Sequence, residues 1–207
     1  MTVTAIAYHR AMGRWEPNAR GRLAQAAIRL YAEQGFERTT VAQIARQAGL
    51  TERTFFRHFA DKREVLFYGT DLARELLARA VAEAPASAGP MDAVAAALHA
   101  AAAVFQENPE RVRLRDAVVS ANAELREREL IKLAAFASAI AGALRERGVP
   151  EPAAGLAAET GVAVLKTAFT RWIGEPDGPD LDHILRECLR DLSGMLADRL
   201  ADQGSPG

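Results

Sequence analysis

Between Thr40 and Phe59 the chain carries two helical repeats of about two turns each, separated by a single glycine, Gly49, with no loop between them. In the first, Thr40 and Gln43 make a capping box, and Val41, Ile44, Ala45 and Ala48 form a stripe for burial. Gly49 supplies the left-handed residue that stops the repeat. Leu50 and Thr51 open the second repeat at once, Thr51 as its cap and Leu50 placed to staple against Phe55. Two short helices joined by a tight glycine-bearing turn need a supporting helix, and one precedes them. From about Asn18, residues Leu23, Ala26, Ala27, Leu30 and Tyr31 recur at helical spacing, Gly35 ends the run, and Phe36 is placed to fold back on Tyr31.

The rest of the chain continues in the same period. Asp61 with Glu64 reads as a capping box opening a fourth helix through Leu66, Leu72, Leu76 and Leu77, broken by PASAGP at 85–90. Further helices are expected over 91–107, 111–119, 124–147, 153–173 and 181–200, with Pro and Gly at their boundaries. No alternating strand pattern occurs, and alanine is the commonest filler while only 6% of residues are aromatic. The expected fold is all-α with about nine helices. It divides into a loose arm at 1–16, a helix-turn-helix at 17–63 and a helical body at 64–203.

Charge follows that division. Residues 10–63 hold eleven Arg/Lys against five Asp/Glu, a net of +6, while the remainder holds fifteen against twenty-two, a net of −7. A basic head on an acidic body points to a polyanion partner. Cys188 is the only cysteine, which excludes a disulfide within the chain and fits a reducing compartment. The opening MTVTAIAYHR lacks the apolar core of a signal peptide, and the apolar run Leu133–Leu144 is too short to span a bilayer, so a cytoplasmic protein without membrane contact is expected. No Gly-rich phosphate loop or nucleophile-elbow sequence occurs, and His9, His58, His99 and His183 are scattered without metal-ligand spacing. No catalytic residue, metal or cofactor is expected.

Helical steps of 100° put Phe55 and Phe59 on one side of the second short helix and Arg53, Thr54 and Arg57 on the other, with Phe56 at the edge and His58 between the faces. Two arginines at i and i+4 on an exposed face suit guanine edges or phosphates. The residues expected at double-stranded DNA are Thr40, Thr51, Arg53, Thr54, Phe56, Arg57, His58 and Lys62, the last because a cation at a helix start opposes the dipole and so calls for an external anion. Over residues 19–66 the pattern "A..L....GF..TTV..IA..AGL....FFRHF.DK..VL" resembles the tetracycline-repressor (TetR) family of regulators. The resemblance implies an all-helical dimer with three N-terminal helices on operator DNA and six for ligand and dimerisation. It implies further that Thr40 and Lys62 touch phosphates and that the third helix reads the groove. Many relatives carry tyrosine where Phe56 stands, and Phe56 lacks the hydroxyl that would bond phosphate.

The body offers two roles. The last helix carries Leu181, Ile184, Leu185, Cys188, Leu189, Leu192 and Leu196, and the preceding one Leu165, Phe169 and Trp172; together they suit an intersubunit four-helix bundle in a homodimer. An effector pocket between helices would draw on His99, Phe105, Arg115, Ser120, Asn122, Phe136, Lys166 and Phe169. PERVRLRDAVVSANAELREREL and AETGVAVLKTAFTRW, within residues 95–175, resemble the C-terminal domain of a subgroup associated with acyl-CoA-like ligands. The function expected is a repressor on palindromic operator DNA, released when a hydrophobic or acyl-CoA-like effector shifts the fourth helix; the alternative is a DNA-binding regulator without an effector.

Overall fold

The computed structural model describes residues 19–203, with side chains through 197. The arm expected at 1–16 lies outside the described residues. Among them are nine α-helices and no strand. These are α1 (Ala19–Gln34), α2 (Val41–Gln47), α3 (Glu52–His58), α4 (Thr70–Ala82), α5 (Pro90–Gln106), α6 (Pro109–Ser120), α7 (Ala123–Glu146), α8 (Ala153–Gly174) and α9 (Leu181–Gln203), with a 3-10 turn at Glu64–Phe67.

Contacts divide the described residues into two compact units, one running to residue 75 and resuming over 107–135, the other over 76–106 and from 136 onward. The first unit therefore does not end near residue 63: it takes in α6 and the first half of α7. The reason is its core. Leu23, Ile28, Tyr31, Ile44, Phe55 and Phe59 pack in one cluster with Val118, Val119 and Leu125, so three apolar side chains from α6–α7 complete what three short helices leave open.

Local signals set the elements of this unit. Thr40 and Gln43 form both bonds of the capping box. Gly49 sits at φ +65, and the Leu50 amide donates back to the Ala45 carbonyl at 2.8 Å, closing α2 with a Schellman stop. The Tyr31 and Phe36 rings meet edge-on at 5.1 Å. The expected fourth helix needs correction. Asp61 does accept from the amides of Arg63 and Glu64, but Glu64 reaches back to the Ala60 amide, and what they cap is only the 3-10 turn. Gly69 at φ +93 then breaks the chain, and α4 starts afresh at Thr70.

In the second unit α5 packs against α8 and α9, and α8 against α9. Leu98, Ile140, Leu144, Leu181, Ile184 and Leu185 are fully buried there. Gly161 faces Val94 so closely that a built Cβ would lie 2.3 Å from Val94 Cγ1, which makes that glycine a spacer between α8 and α5. Arg147 donates to the carbonyls of Ala82, Ala84 and Pro85, satisfying the end of α4.

Candidate functional site

Helix α3 is anchored from beneath. Phe55 is fully buried and Phe59 nearly so, their rings 5.6 Å apart. At the N-terminus Thr51 Oγ1 accepts from the Thr54 amide, and the two hydroxyls share a bond of 3.0 Å. With the buried edge and the cap fixed, the opposite edge is fixed too: Arg53 and Arg57 are both exposed, one turn apart. Phe56 is 56% exposed and touches Phe55 only edge-on, so it serves no core. Thr40 and Thr51 are exposed, while Thr54 and His58 are half-buried. His58 Nε2 is buried without a hydrogen-bond partner among the described residues. Burial, then Arg57 and Arg20, push its pKa below the ordinary histidine value.

Lys62 departs from its expected place at a phosphate. Its Nζ donates to the carbonyls of Phe36 at 2.9 Å, Thr39 at 3.1 Å and Glu37 at 3.2 Å, and sits 4.4 Å from the centre of the Phe36 ring. All three N–H groups are spent inside the chain on the α1–α2 connection. The cation has its negative partner in carbonyl dipoles and calls for no external anion.

Behind this face, α6 and α7 tie themselves to the 3-10 turn. Arg115 donates from Nε to the Leu66 carbonyl at 2.8 Å and from Nη2 to Glu129 Oε2 at 2.5 Å, with its guanidinium 5.1 Å from the Phe67 ring. Lys132 closes on the other oxygen of Glu129. Burial pushes the Glu129 pKa up, but Arg115 and Lys132 outweigh it and leave the carboxyl below its ordinary value. Burial, with Arg115, lowers Lys132 to about 8. Asp116 beside them is raised, chiefly by burial. A second chain links Asp61 to Arg63 and Arg128, and Arg63 to Glu124. Sequence reasoning named Arg115 but missed Glu129, Lys132 and Asp116. The one signal available, acids and bases three and four apart, is equally that of a solvated face.

The other expected pocket residues are divided between the two units. Arg115, Ser120 and Asn122 belong to the first unit; His99, Phe105, Phe136, Lys166 and Phe169 belong to the second. Asn122 works as a cap, its Oδ1 accepting from the amides of Glu124 and Leu125 while Nδ2 donates to Glu37. Ser120 and Lys166 are exposed. His99 Nδ1 lies 2.5 Å from Asp182 Oδ1. Phe105, Phe169 and Trp172 do come together, with centroids 5.5 Å and 5.9 Å apart. Phe136 is 4% exposed.

The expected dimer set also splits. Leu165, Trp172, Leu181, Ile184 and Leu185 are buried within this one chain, so their apolar area is already spent between α8, α9 and α5. Phe169, Cys188, Leu189 and Leu192 are half-buried and Leu196 is exposed; Met195 and Leu156, not foreseen, are exposed too. Burial, with Asp191 next, raises the Cys188 thiol pKa.

Residues 23–68 match the family described as bacterial regulatory proteins, tetR family, and residues 88–197, more than half the chain, match the MftR C-terminal domain. A stretch of 81 residues, 39% of this chain, is 40% identical to the HTH-type transcriptional regulator TcmR of Streptomyces glaucescens. That match spans 36% of TcmR, so the chain covers about a third of the relative's length. Among solved structures, the transcriptional regulator FadR of Bacillus subtilis, in complex with stearoyl-CoA, superposes with a TM-score of 0.58 at 19% identity, covering 82% of this chain and 95% of that one. NalD, the secondary repressor of the MexAB-OprM multidrug efflux pump in Pseudomonas aeruginosa, gives 0.58 at 21% identity, covering 84% and 95%. At such identities these likenesses establish the fold alone. With its helix-turn-helix head and the extended C-terminal match together, the chain belongs to the tetR family of bacterial regulatory proteins, with a C-terminal domain of the MftR type.

Proposed function

We propose that this chain is a dimeric repressor of transcription that binds palindromic operator DNA and is released by a hydrophobic or acyl-CoA-like effector. The observation that carries the reading is α3: a capped helix held from below by Phe55 and Phe59 that turns Arg53 and Arg57 outward. Either guanidinium can pair bidentately with the N7 and O6 of guanine in a major groove. Thr40, Thr51 and Thr54 fit phosphate contacts at the rim of that groove, and exposed Phe56 fits a deoxyribose.

Two copies would set their α3 helices about 34–36 Å apart, one turn of B-DNA, which is why the operator should be palindromic. The stripe of Cys188, Leu189, Leu192, Met195 and Leu196 along α9, with Leu156 of α8, is the apolar surface that supports pairing. For the effector, the half-buried rings of Phe105 and Phe169 offer an apolar contact in the second unit. A FadR of similar fold holds stearoyl-CoA, which makes a long-chain acyl-CoA the first effector to test. Release needs only about 1–3 kcal/mol of coupling, or roughly 5–150-fold in operator affinity.

Enrichment of a random-sequence duplex library on the full-length protein tests this reading. An inverted repeat should emerge, bound with a steep salt dependence. Arg53→Ala and Arg57→Ala should each lose about 1–3 kcal/mol of affinity per half-site and relax the base preference at one position in each. Stearoyl-CoA should release the duplex and raise the melting temperature. Enrichment of no motif would sink the reading; an inverted repeat that no acyl-CoA releases would leave a regulator without this effector.

A further inference from the structure

Arg20, in the first turn of α1, is the cation that sequence reasoning passed over. Its guanidinium carbon lies 5.4 Å from the ring centre of Phe59, the residue that caps α3, and 5.6 Å from that of Tyr68. Those rings stand edge to face at 6.3 Å and 88°. The head of an exposed arginine is thus positioned by two aromatic groups, one at the end of α3 and the other just before α4. Rings hold a guanidinium without consuming its donors, because the attraction is to the cation and the five N–H groups bond outward in its plane. Among the described residues no carboxylate pairs with Arg20, whereas on the same unit Arg63 has two and Arg115 has Glu129. Arg57 is exposed on the last turn of α3, two residues before the Phe59 that Arg20 lies over, and both cations lower the pKa of half-buried His58. Two cations, Arg20 held by its rings and Arg57 exposed, therefore stand near the C-terminal end of α3 without a counter-anion from the described residues. Such an end is a place for an anion from outside.

We propose that Arg20 is a DNA-backbone contact, donating to a phosphodiester oxygen beside the groove that α3 enters. The contact rests on the reading of α3 as the recognition helix. It gives α1 a part in binding beyond supporting α2 and α3, and it supplies the phosphate cation that Lys62, occupied by carbonyls, does not. Because the stacking rings belong to the end of α3 and the start of the next segment, the cation keeps a fixed offset from Arg53 and Arg57 and sets the depth at which α3 sits.

The experiment uses a duplex enriched on the wild-type full chain, with salt titration and phosphate-ethylation interference on wild type, Arg20→Met and Arg20→Lys. Arg20→Met, lost from both half-sites, should lower the slope of log affinity against log salt by about 1.8 and weaken binding roughly 30-fold at about 0.15 M salt. One phosphate per half-site whose ethylation blocks the wild type should cease to matter. Methionine keeps an apolar stem against Phe59 and Tyr68. If it nonetheless lowers the melting temperature, Arg20→Lys decides: lysine retaining the slope and the sensitive phosphate supports the contact. Slopes and interference maps identical for all three proteins overturn it, even with an operator in hand. Failure of the wild type to enrich any duplex overturns the reading of α3 beneath it, a result distinguishable from the first.

Discussion

Lys62 holds three carbonyls with its ammonium while lying on the Phe36 ring, so its charge serves the α1–α2 connection. Bonds from a charged donor to part-buried acceptors are each worth about 1.5–3 kcal/mol, with partial compensation by water when lost. Lys62→Met should therefore lower unfolding stability by about 2 kcal/mol while leaving the salt slope of DNA binding within a few tenths of wild type. Chemical denaturation and a salt titration check it together. A flattened slope with unchanged stability would return Lys62 to the phosphate. Residues of this kind show what one-dimensional reading reaches. Arg53, Arg57, Phe55 and Phe59 were legible because the 100° step of a short helix decides inside from outside without knowledge of the partner. Lys62 and Asn122 were not, because their partners at Phe36 and Glu37 are remote along the sequence.

At the scale of the helices, the tightest constraint is the crossing of α5 and α8. Val94 is fully buried and β-branched, so it has one comfortable rotamer and nowhere to turn when a Cβ arrives at 2.3 Å. Gly161→Ala gains helix propensity in α8, yet overpacking should dominate and cost about 1–3 kcal/mol. A denaturant midpoint equal to or above wild type would show that the two helices slide apart freely. Helix boundaries were readable wherever the stop is local, as at Gly49 and Gly148, each a glycine at positive φ just past a helix end. The break at Gly69 escaped because Leu66, Leu72, Leu76 and Leu77 keep a helical spacing across it. Periodicity alone does not register one left-handed residue inserted between two in-phase segments.

For the molecule as a whole, the proposed dimer is to be tested at the α9 stripe. Placing charge there, as in Leu196→Arg with Met195→Glu, should halve the mass seen by analytical ultracentrifugation at micromolar concentration while leaving helix content intact. A mass unchanged by the double substitution would move the subunit interface elsewhere. The sequence displayed a broad apolar face on the last two helices but not who covers it: Leu181, Ile184 and Leu185 turned out to face inward. No described helix is long and apolar enough to cross a membrane. The core of the first unit carries a different consequence. Val118, Val119 and Leu125 complete an apolar cluster whose other members end at Leu66. The heritable module for reading DNA is therefore discontinuous in the gene. Recombination that exchanged only the segment up to residue 68 would deliver a head lacking part of its floor, and a viable chimera must carry 107–135 along with it. New specificities in this lineage should arise more readily by point substitution on α3 than by swapping heads.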